Sequence, residues 1–307
     1  MGIRLDLYLS EKLGVSRSQA LQLIKKGKVK LNGEVVKKGG VKVEEGDRVE
    51  WELPEPEETP PPPPPDFEIP ILYEDEYLLV VNKPAGVVVH PAPSYSGPTL
   101  VDWLKSRGYR LSTIGGEERV GIVHRLDKGT SGALVVAKDN KTHQNLSSQL
   151  ERREMGRYYL MLLNQPISKP VIVEKPIGRN PKDRKKMAVV PGGRYAKTLF
   201  IPIYQNLVLA KLFTGRTHQI RVHLKELGRW ILGDSLYGKG EGERVMLHAF
   251  KLYLTHPATG EQMEIEAPLF PDFKKAIGEE GITAIKNLPP LAQWTQKVER
   301  DILFPPV

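Results

Sequence analysis

Residues 54–65 read PEPEETPPPPPP, and no other stretch limits the fold so strongly. Consecutive prolines fix φ, donate no backbone hydrogen bond and favour extended polyproline II, so neither a helix nor an interior strand crosses this segment. At ~3.1 Å per residue, prolines 60–65 alone hold their flanks on the order of 20 Å apart. The chain therefore reads as two bodies, 1–53 and 67–275, joined by a semi-rigid linker at 54–66. A Pro-rich extension of unknown role follows at 276–307. A length of 307 residues accommodates two such units.

In the first unit, helix-period apolar residues run from Leu5 to Leu13. Ser16 then stands in N-cap position before RSQALQLIKKG, and Gly27 supplies a left-handed stop. KVKLNGEVV alternates around Asn32-Gly33, a pair that tolerates positive φ in a tight hairpin, and VKVEEGDRVEWE continues the alternation. Two helices followed by strands result. Arg17, Lys25, Lys26, Lys28 and Lys30 cluster on the second helix and the turn after it, either as a solvated face or as an anion-binding one.

The second unit is a series of short apolar runs separated by Gly and Pro, among them YLLVVNKPAG, GALVVAKD, RYYLMLL, TLFIPIYQ, LVLAKLFTG and MLHAFKLYLTHP. Such spacing predicts a mainly antiparallel sheet, with helices at about 99–107, 139–153 and 216–226, and the fold class is α+β. Neither GxGxxG nor GxxxxGK[ST] occurs, so the nucleotide-cofactor fingerprints are missing. With no cysteine there is no disulfide framework, thiolate zinc site or cysteine nucleophile. No apolar run reaches the ~18–20 residues of a membrane span, and the N-terminus lacks a signal peptide's apolar segment, which predicts a cytoplasmic protein.

The net charge of +8 suits a polyanionic partner, nucleic acid first. The excess belongs to the large unit, where residues 70–307 hold 34 Lys and Arg against 24 Asp and Glu. Its densest part, 175–197, carries Arg179, Arg184, Lys185 and Lys186 and reads as a phosphate-gripping loop or a disordered insertion.

GIVHRLDKGTSGALVVAK (121–138) places a polar, glycine-containing loop between two apolar runs that look like buried strands, a common setting for an active site. Within it Asp127 lies between Arg125 and Lys128, whose charges favour the ionised carboxylate. Such a group serves as nucleophile, base or metal ligand, or else caps its own turn. His124 reads as a hydrogen-bonded structural residue. In FTGRTHQIRVHLKELG (213–228), His218 and His223 are five apart and do not share a helix face, which argues against zinc. Arg216 and Arg221 read as partners of phosphate or of a buried carboxylate. Tyr158 and Tyr159 are neighbours in a strand, so one points away from the core unless both faces are covered.

HRLDKGTSG at 124–132 closely resembles the signature of the RluA/RluD-type pseudouridine synthases. LYEDEYLLVVNKPAGVVVHP, IGRNPKDRKKMAV, TGRTHQIRVHL, GDSLYG and LHAFKLYLTHP match further blocks of that family in the same order. Likewise RLDLYLSEKLGVSRSQALQLIKKGKVKLNG is similar to the S4 RNA-binding domain, which makes Arg17, Lys25, Lys26 and Lys28 an RNA-facing surface. The resemblance implies isomerisation of uridine to pseudouridine in structured RNA, large-subunit ribosomal RNA above all, by a monomer needing no cofactor. It implies Asp127 as nucleophile, Tyr159 as active-site tyrosine and Arg221 as partner of the aspartate. Arg125 would displace the target nucleotide and Leu247 would pack beside the uracil. Gly156-Arg157 departs from the family, standing where a Lys-containing pair is usual. A non-catalytic RNA-binding or ribosome-assembly factor with the same fold is the alternative, and a nucleoside or glycoside hydrolase would want a second carboxylate beside Asp127.

Overall fold

In the computed structural model the described residues are 2–15, 17–53, 63–92, 95–240 and 242–305. The expected N-cap Ser16 and most of the proline linker lie outside them. The N-terminal elements are β1 (Ile3–Arg4), α1 (Leu5–Leu13), α2 (Arg17–Lys25), β2 (Val29–Leu31), β3 (Glu34–Val35), β4 (Lys42–Val43) and β5 (Val49–Trp51). Leu5, Leu9 and Leu13 recur every four residues and are fully buried against Ala20, Leu23 and Ile24 of α2. Gly14 ends α1 at φ 64°, donating its N–H to Ser10 O. Asn32 and Gly33 both take positive φ, 52° and 86°, so β2 and β3 close as the expected tight hairpin, with β5 on the other side of β2.

The large unit opens with β6 (Ile71–Glu74), β7 (Leu78–Lys83), α3 (Leu100–Ser106), β8 (Ser131–Ala137), α4 (Asn140–Arg152) and β9 (Gly156–Leu162). It continues through β10 (Val171–Glu174), β11 (Ile177–Arg179), β12 (Met187–Val189), β13 (Lys197–Tyr204), β14 (Leu207–Leu212) and α5 (Gln219–Glu226). It closes with β15 (Leu247–Thr255), β16 (Gln262–Glu266), α6 (Pro271–Lys286) and α7 (Leu291–Leu303). The main sheet runs β10-β13-β14-β9-β15-β8-β7-β6, with β16 also on β15; every pairing is antiparallel except β15 with β8. The class is α+β, and no helix among the described residues is long and apolar enough to cross a membrane. α3 starts where a capping box joins Thr99 to Asp102, and α4 where Asp139 accepts from Thr142 N–H. β11 and β12 form a separate hairpin, so the basic segment expected as a grip or an insertion is a hairpin tip.

One finding differs from the sequence-based expectation, and a second fills in what the sequence left open. Only β8 flanks the 124–130 loop as a strand; before the loop, Ile122 makes an isolated bridge to Val136. Gly121 (φ 70°) lets the chain lie close against β8 before the loop: a Cβ there would stand 2.8 Å from Val136 and 2.9 Å from Ala137 O. The second concerns the C-terminal segment. α6 passes through position 275 and bends at Gly278 (φ 68°), after which α7 follows, and Phe273, Ile277 and Leu291 pack on the sheet with Tyr158, Leu160, Leu199 and Ile201. Tyr159, Met161 and Leu163 face the opposite core. Both tyrosines are therefore buried, because both faces of β9 are covered.

Candidate active site

The loop 124–130 is held between two central strands. Lys83, fully buried at the end of β7, donates Nζ to Pro84 O and Val87 O at 2.8 Å and to Lys128 O at 3.4 Å. Burial lowers the Lys83 ammonium to about 7, with Asp127 pulling it up and Arg244 down. Gly86 N–H also binds Lys128 O, and Thr130 N–H closes the turn on Asp127 O. At the loop's exit Gly132 (φ 118°) leaves no room for a side chain: its Cβ would lie 2.3 Å from Ala249 O, and this closeness lets β8 run parallel beside β15.

These constraints present the Asp127 carboxylate, 28% exposed, in a cavity of about 160 Å³. Arg125, Tyr159, Arg221 and Leu247 line the same cavity, so five residues singled out from sequence converge although they come from four separate stretches of chain. Arg221 on α5 donates Nη1 to Asp127 Oδ2 at 3.2 Å. Its remaining partner is Asp234, which receives Nε at 2.7 Å and Nη2 at 2.8 Å and also accepts from the backbone N–H of Leu236 and Tyr237. Burial opposes both charges, yet the pair prevails: Arg221 is held above its ordinary pKa and Asp234 below its own.

His218 precedes α5 in the left-handed region (φ 55°), and its Nε2 stands 3.8 Å from Asp127 Oδ2. Its Nδ1 meets the Tyr237 hydroxyl at 2.8 Å, and that hydroxyl accepts from Met187 N–H at 2.8 Å. Burial lowers the His218 pKa, Asp127 raises it and Arg221 lowers it again. A neutral ring that accepts from Tyr237 at Nδ1 keeps its proton on Nε2, facing Asp127. Tyr159 is buried, which pushes its phenol above the ordinary value, with Arg157 lowering it and Asp127 raising it. The Arg157 guanidinium lies 5.9 Å from the Tyr159 ring centroid and touches His124 Nδ1. His124 accepts Val135 N–H at Nε2, and burial, assisted by Arg157, holds it neutral, in keeping with a structural residue.

The other cations expected on RNA do not line this cavity. Arg17 pairs with the buried Asp6 at 2.9 Å and Lys28 with Glu52 at 3.1 Å, while Lys25 at the end of α2 and Lys26 in the turn after it are exposed. Arg179, Arg184, Lys185 and Lys186 occupy the β11–β12 hairpin, where Arg179 binds Arg184 O. Met187 ties that hairpin to Tyr237 and so to His218. Asp234, Tyr237, Lys83 and Arg157 receive no role from sequence reasoning, which weighs His218 only against zinc. The blocks GDSLYG, NKPAG and TGRTHQIR contain four of these residues, but nothing in a block shows which carboxylate meets which guanidinium.

Residues 77–226 match the family model described as RNA pseudouridylate synthase, and residues 3–49 match the S4 domain. A Helicobacter pylori protein described as an uncharacterized RNA pseudouridine synthase is 44% identical over 302 residues, covering 92% of each chain. The Pseudomonas aeruginosa protein named ribosomal large subunit pseudouridine synthase D is 38% identical over 278 residues, covering 84% of this chain and 85% of its own. Among solved structures, human RNA pseudouridylate synthase domain containing 1 superposes with a TM-score of 0.55 at 27% identity, over 72% of this chain and 96% of the other.

Proposed function

The chain belongs to the RNA pseudouridylate synthase family and is an RNA pseudouridine synthase, and from that premise we propose that Asp127 is the nucleophile that isomerises a flipped-out uridine in large-subunit ribosomal RNA. The observation that carries the assignment is the Asp127 carboxylate, open to a cavity and hydrogen-bonded by Arg221 within a wall that also holds Tyr159 and Leu247.

Conversion of uridine to pseudouridine breaks N1–C1′, turns the uracil and forms C5–C1′; the C5 proton goes to solvent and N1 gains one. The carboxylate attacks C1′ as N1 leaves, or takes the C2′ proton to give a glycal; attack at uracil C6 is the third route open to the same group. Arg221 holds the carboxylate aimed through its Nη1 hydrogen bond, because Asp234 fixes the guanidinium plane from behind. Tyr159 and Leu247 border the space for the uracil, and the Tyr159 hydroxyl, protonated at neutral pH by burial, is an acid for the departing or returning base. A stacked base hides C1′ and C5, so the nucleotide turns out of its stack at a cost of a few kcal/mol, and exposed Arg125 at the cavity mouth fills the vacancy. Lys25, Lys26 and Lys28 of the S4 unit and Arg179, Arg184, Lys185 and Lys186 of the hairpin supply phosphate contacts. The ribosomal assignment rests on the names of relatives such as that from Pseudomonas aeruginosa, and on the S4 unit. In this reading the enzyme acts as a monomer in the cytoplasm.

The deciding experiment is Asp127→Asn assayed on large-subunit ribosomal RNA transcribed with 5-tritiated uridine. Tritium release is expected to vanish while RNA affinity and thermal stability persist. Appreciable release by the variant removes Asp127 from the nucleophile's role.

A further inference from the structure

The cavity around Asp127 is not the largest recess of the molecule. Beside it runs a groove of about 770 Å³, and the two share Arg125, Arg157, Leu212, Gly215 and Arg216 as common wall. The floor of the groove carries Phe213 and Tyr253, and its far side is formed by exposed Ala292 and Gln296 of α7. Two residues of α7 thus complete a recess that shares five lining residues with the catalytic cavity.

The charge at this end of the sheet is unusual. Arg153, Arg194 and Arg216 stand close enough that burial and the two neighbouring arginines together lower the Arg216 pKa. None of the three forms an ion pair with a carboxylate among the described residues, nor do Arg125 and Arg157 on the shared wall. Tyr195 braces two members of the cluster: Arg216 donates Nε to its carbonyl at 3.0 Å, and the Arg153 guanidinium lies 5.4 Å from its ring centroid. Arg153 itself is set by the left-handed turn (φ 64°) that ends α4. Like charges held together without a counter-ion raise the energy of the free protein, and an anion laid across them lowers it. Apolar and aromatic side chains beneath a cationic rim suit a nucleotide, whose base has a stacking face and whose phosphates are charged. Glu151 and Glu264 also line the groove; they repel phosphate but accept from base amino groups.

We propose that this groove is a second nucleotide subsite, seating a nucleotide next to the flipped uridine in sequence while its phosphates lie on Arg153 and Arg216, both of which line it. The proposal rests on the reading of the Asp127 cavity as the uridine site, because the shared wall is what makes the occupant a continuation of the same strand. The five shared lining residues set the two recesses side by side, as consecutive nucleotides of one strand require, whereas an acidic protein segment has no reason to end there.

The test uses the full chain and a large-subunit ribosomal RNA transcript containing 4-thiouridine. Irradiation is expected to crosslink the RNA to peptides containing Phe213, Tyr253 or residues 292–296. Arg153→Gln combined with Arg216→Gln is expected to weaken binding roughly tenfold at 0.1 M salt and to reduce the log–log salt slope by about 1.5, at ~0.7–0.9 for each phosphate no longer neutralised. Gln296→Trp, an exposed position that leaves the core intact, is expected to fill the groove and abolish those crosslinks, while Arg229→Gln outside it shifts affinity less than twofold. Crosslinks elsewhere, with affinity and slope unmoved by the double variant, overturn the subsite. Tritium release by the wild-type enzyme on the same RNA sequence made with 5-tritiated uridine separates the two readings: release without groove crosslinks sinks the subsite alone, and groove crosslinks without release leave an RNA site and sink the assigned chemistry.

Discussion

Asp234 grips Arg221 through two hydrogen bonds of 2.7 and 2.8 Å and is itself fully buried, so the guanidinium that faces Asp127 is fixed from the side away from the cavity. Arg221 consequently meets Asp127 with a single donor, Nη1. Asp234→Asn keeps the shape of this carboxylate but removes its charge, and leaves a buried guanidinium without its main counter-ion. Breaking one side of a buried pair costs about 3–5 kcal/mol. The remaining bond to Asp127 offsets part of that, and a loss of roughly 2–3 kcal/mol in urea unfolding is expected. The single-turnover rate should fall by on the order of a hundredfold as Arg221 loses its aim, with RNA affinity nearly unchanged. Wild-type rates in a destabilised variant would show that Asp234 serves folding alone.

Tyr159→Phe removes one hydroxyl from a ring whose packing against Met161, Ala210 and Leu247 is otherwise retained. An acid or base at this position is worth ~10²–10⁴ in rate, and a drop within that range at unchanged RNA affinity is expected. The wild-type pH–rate profile adds a check. Burial lifts the phenol above its ordinary value of 10.0, so its deprotonation produces no falling limb below about pH 10. A limb near pH 9 that disappears in the Phe variant would contradict the burial-raised hydroxyl.

What could be read in advance divides along physical lines. α1, α2, the Asn32-Gly33 hairpin and the Asp139 cap depend on residues within a few positions of one another, and their periodicity and turn chemistry are visible in the chain. The loop bearing Asp127 was locatable for the same reason. Arg221 and Asp127, by contrast, are 94 positions apart, and Lys83 meets Lys128 across 45. Local pattern carries no information about which distant side chain a buried charge will find. Arg216 and Arg221 illustrate the limit: both read as partners of an anion, but one sits in an unneutralised arginine cluster and the other faces a buried carboxylate. The docking of α6 and α7 was hidden by the Pro-rich composition, and the bend at Gly278 inside α6 has no partner in sequence that would reveal it.

The S4 unit should contribute to affinity through charge. Lys25 at the end of α2 and Lys26 in the turn after it are exposed and do not line the Asp127 cavity, so Lys25→Gln with Lys26→Gln leaves the catalytic geometry alone. If both lysines bind phosphate, the double variant weakens binding to structured ribosomal RNA and lowers the salt slope by about 1.5. Filter binding between 50 and 200 mM salt, roughly the range over which phosphate neutralisation dominates, measures this directly. An unchanged slope would mean that α2 faces solvent rather than RNA.

Lys83 connects the catalytic loop to stability and makes that connection dependent on pH. Its ammonium is lowered to about 7 by burial, against an ordinary value of 10.5. Between those values the unfolded chain holds a proton that the folded chain has released, so the unfolded state binds more protons and stability rises with pH. The slope reaches at most ~1.4 kcal/mol per pH unit for one group. The chain has no cysteine, buried His143 and His248 are lowered to about 4, and Tyr253 is raised to about 12, so these groups stay out of the window. Lys83→Met deletes the titrating amine, so the stability of the wild-type protein relative to the variant should grow by roughly 2–3 kcal/mol from pH 7.5 to 9.5 in urea unfolding. A difference that stays flat over that range would show that the three carbonyl partners keep the Lys83 ammonium charged despite its burial. The carbonyl of Lys128, the residue that follows Asp127, would then rest on a permanent cation, and loss of that cation in Lys83→Met should loosen Asp127 and lower turnover at every pH tested.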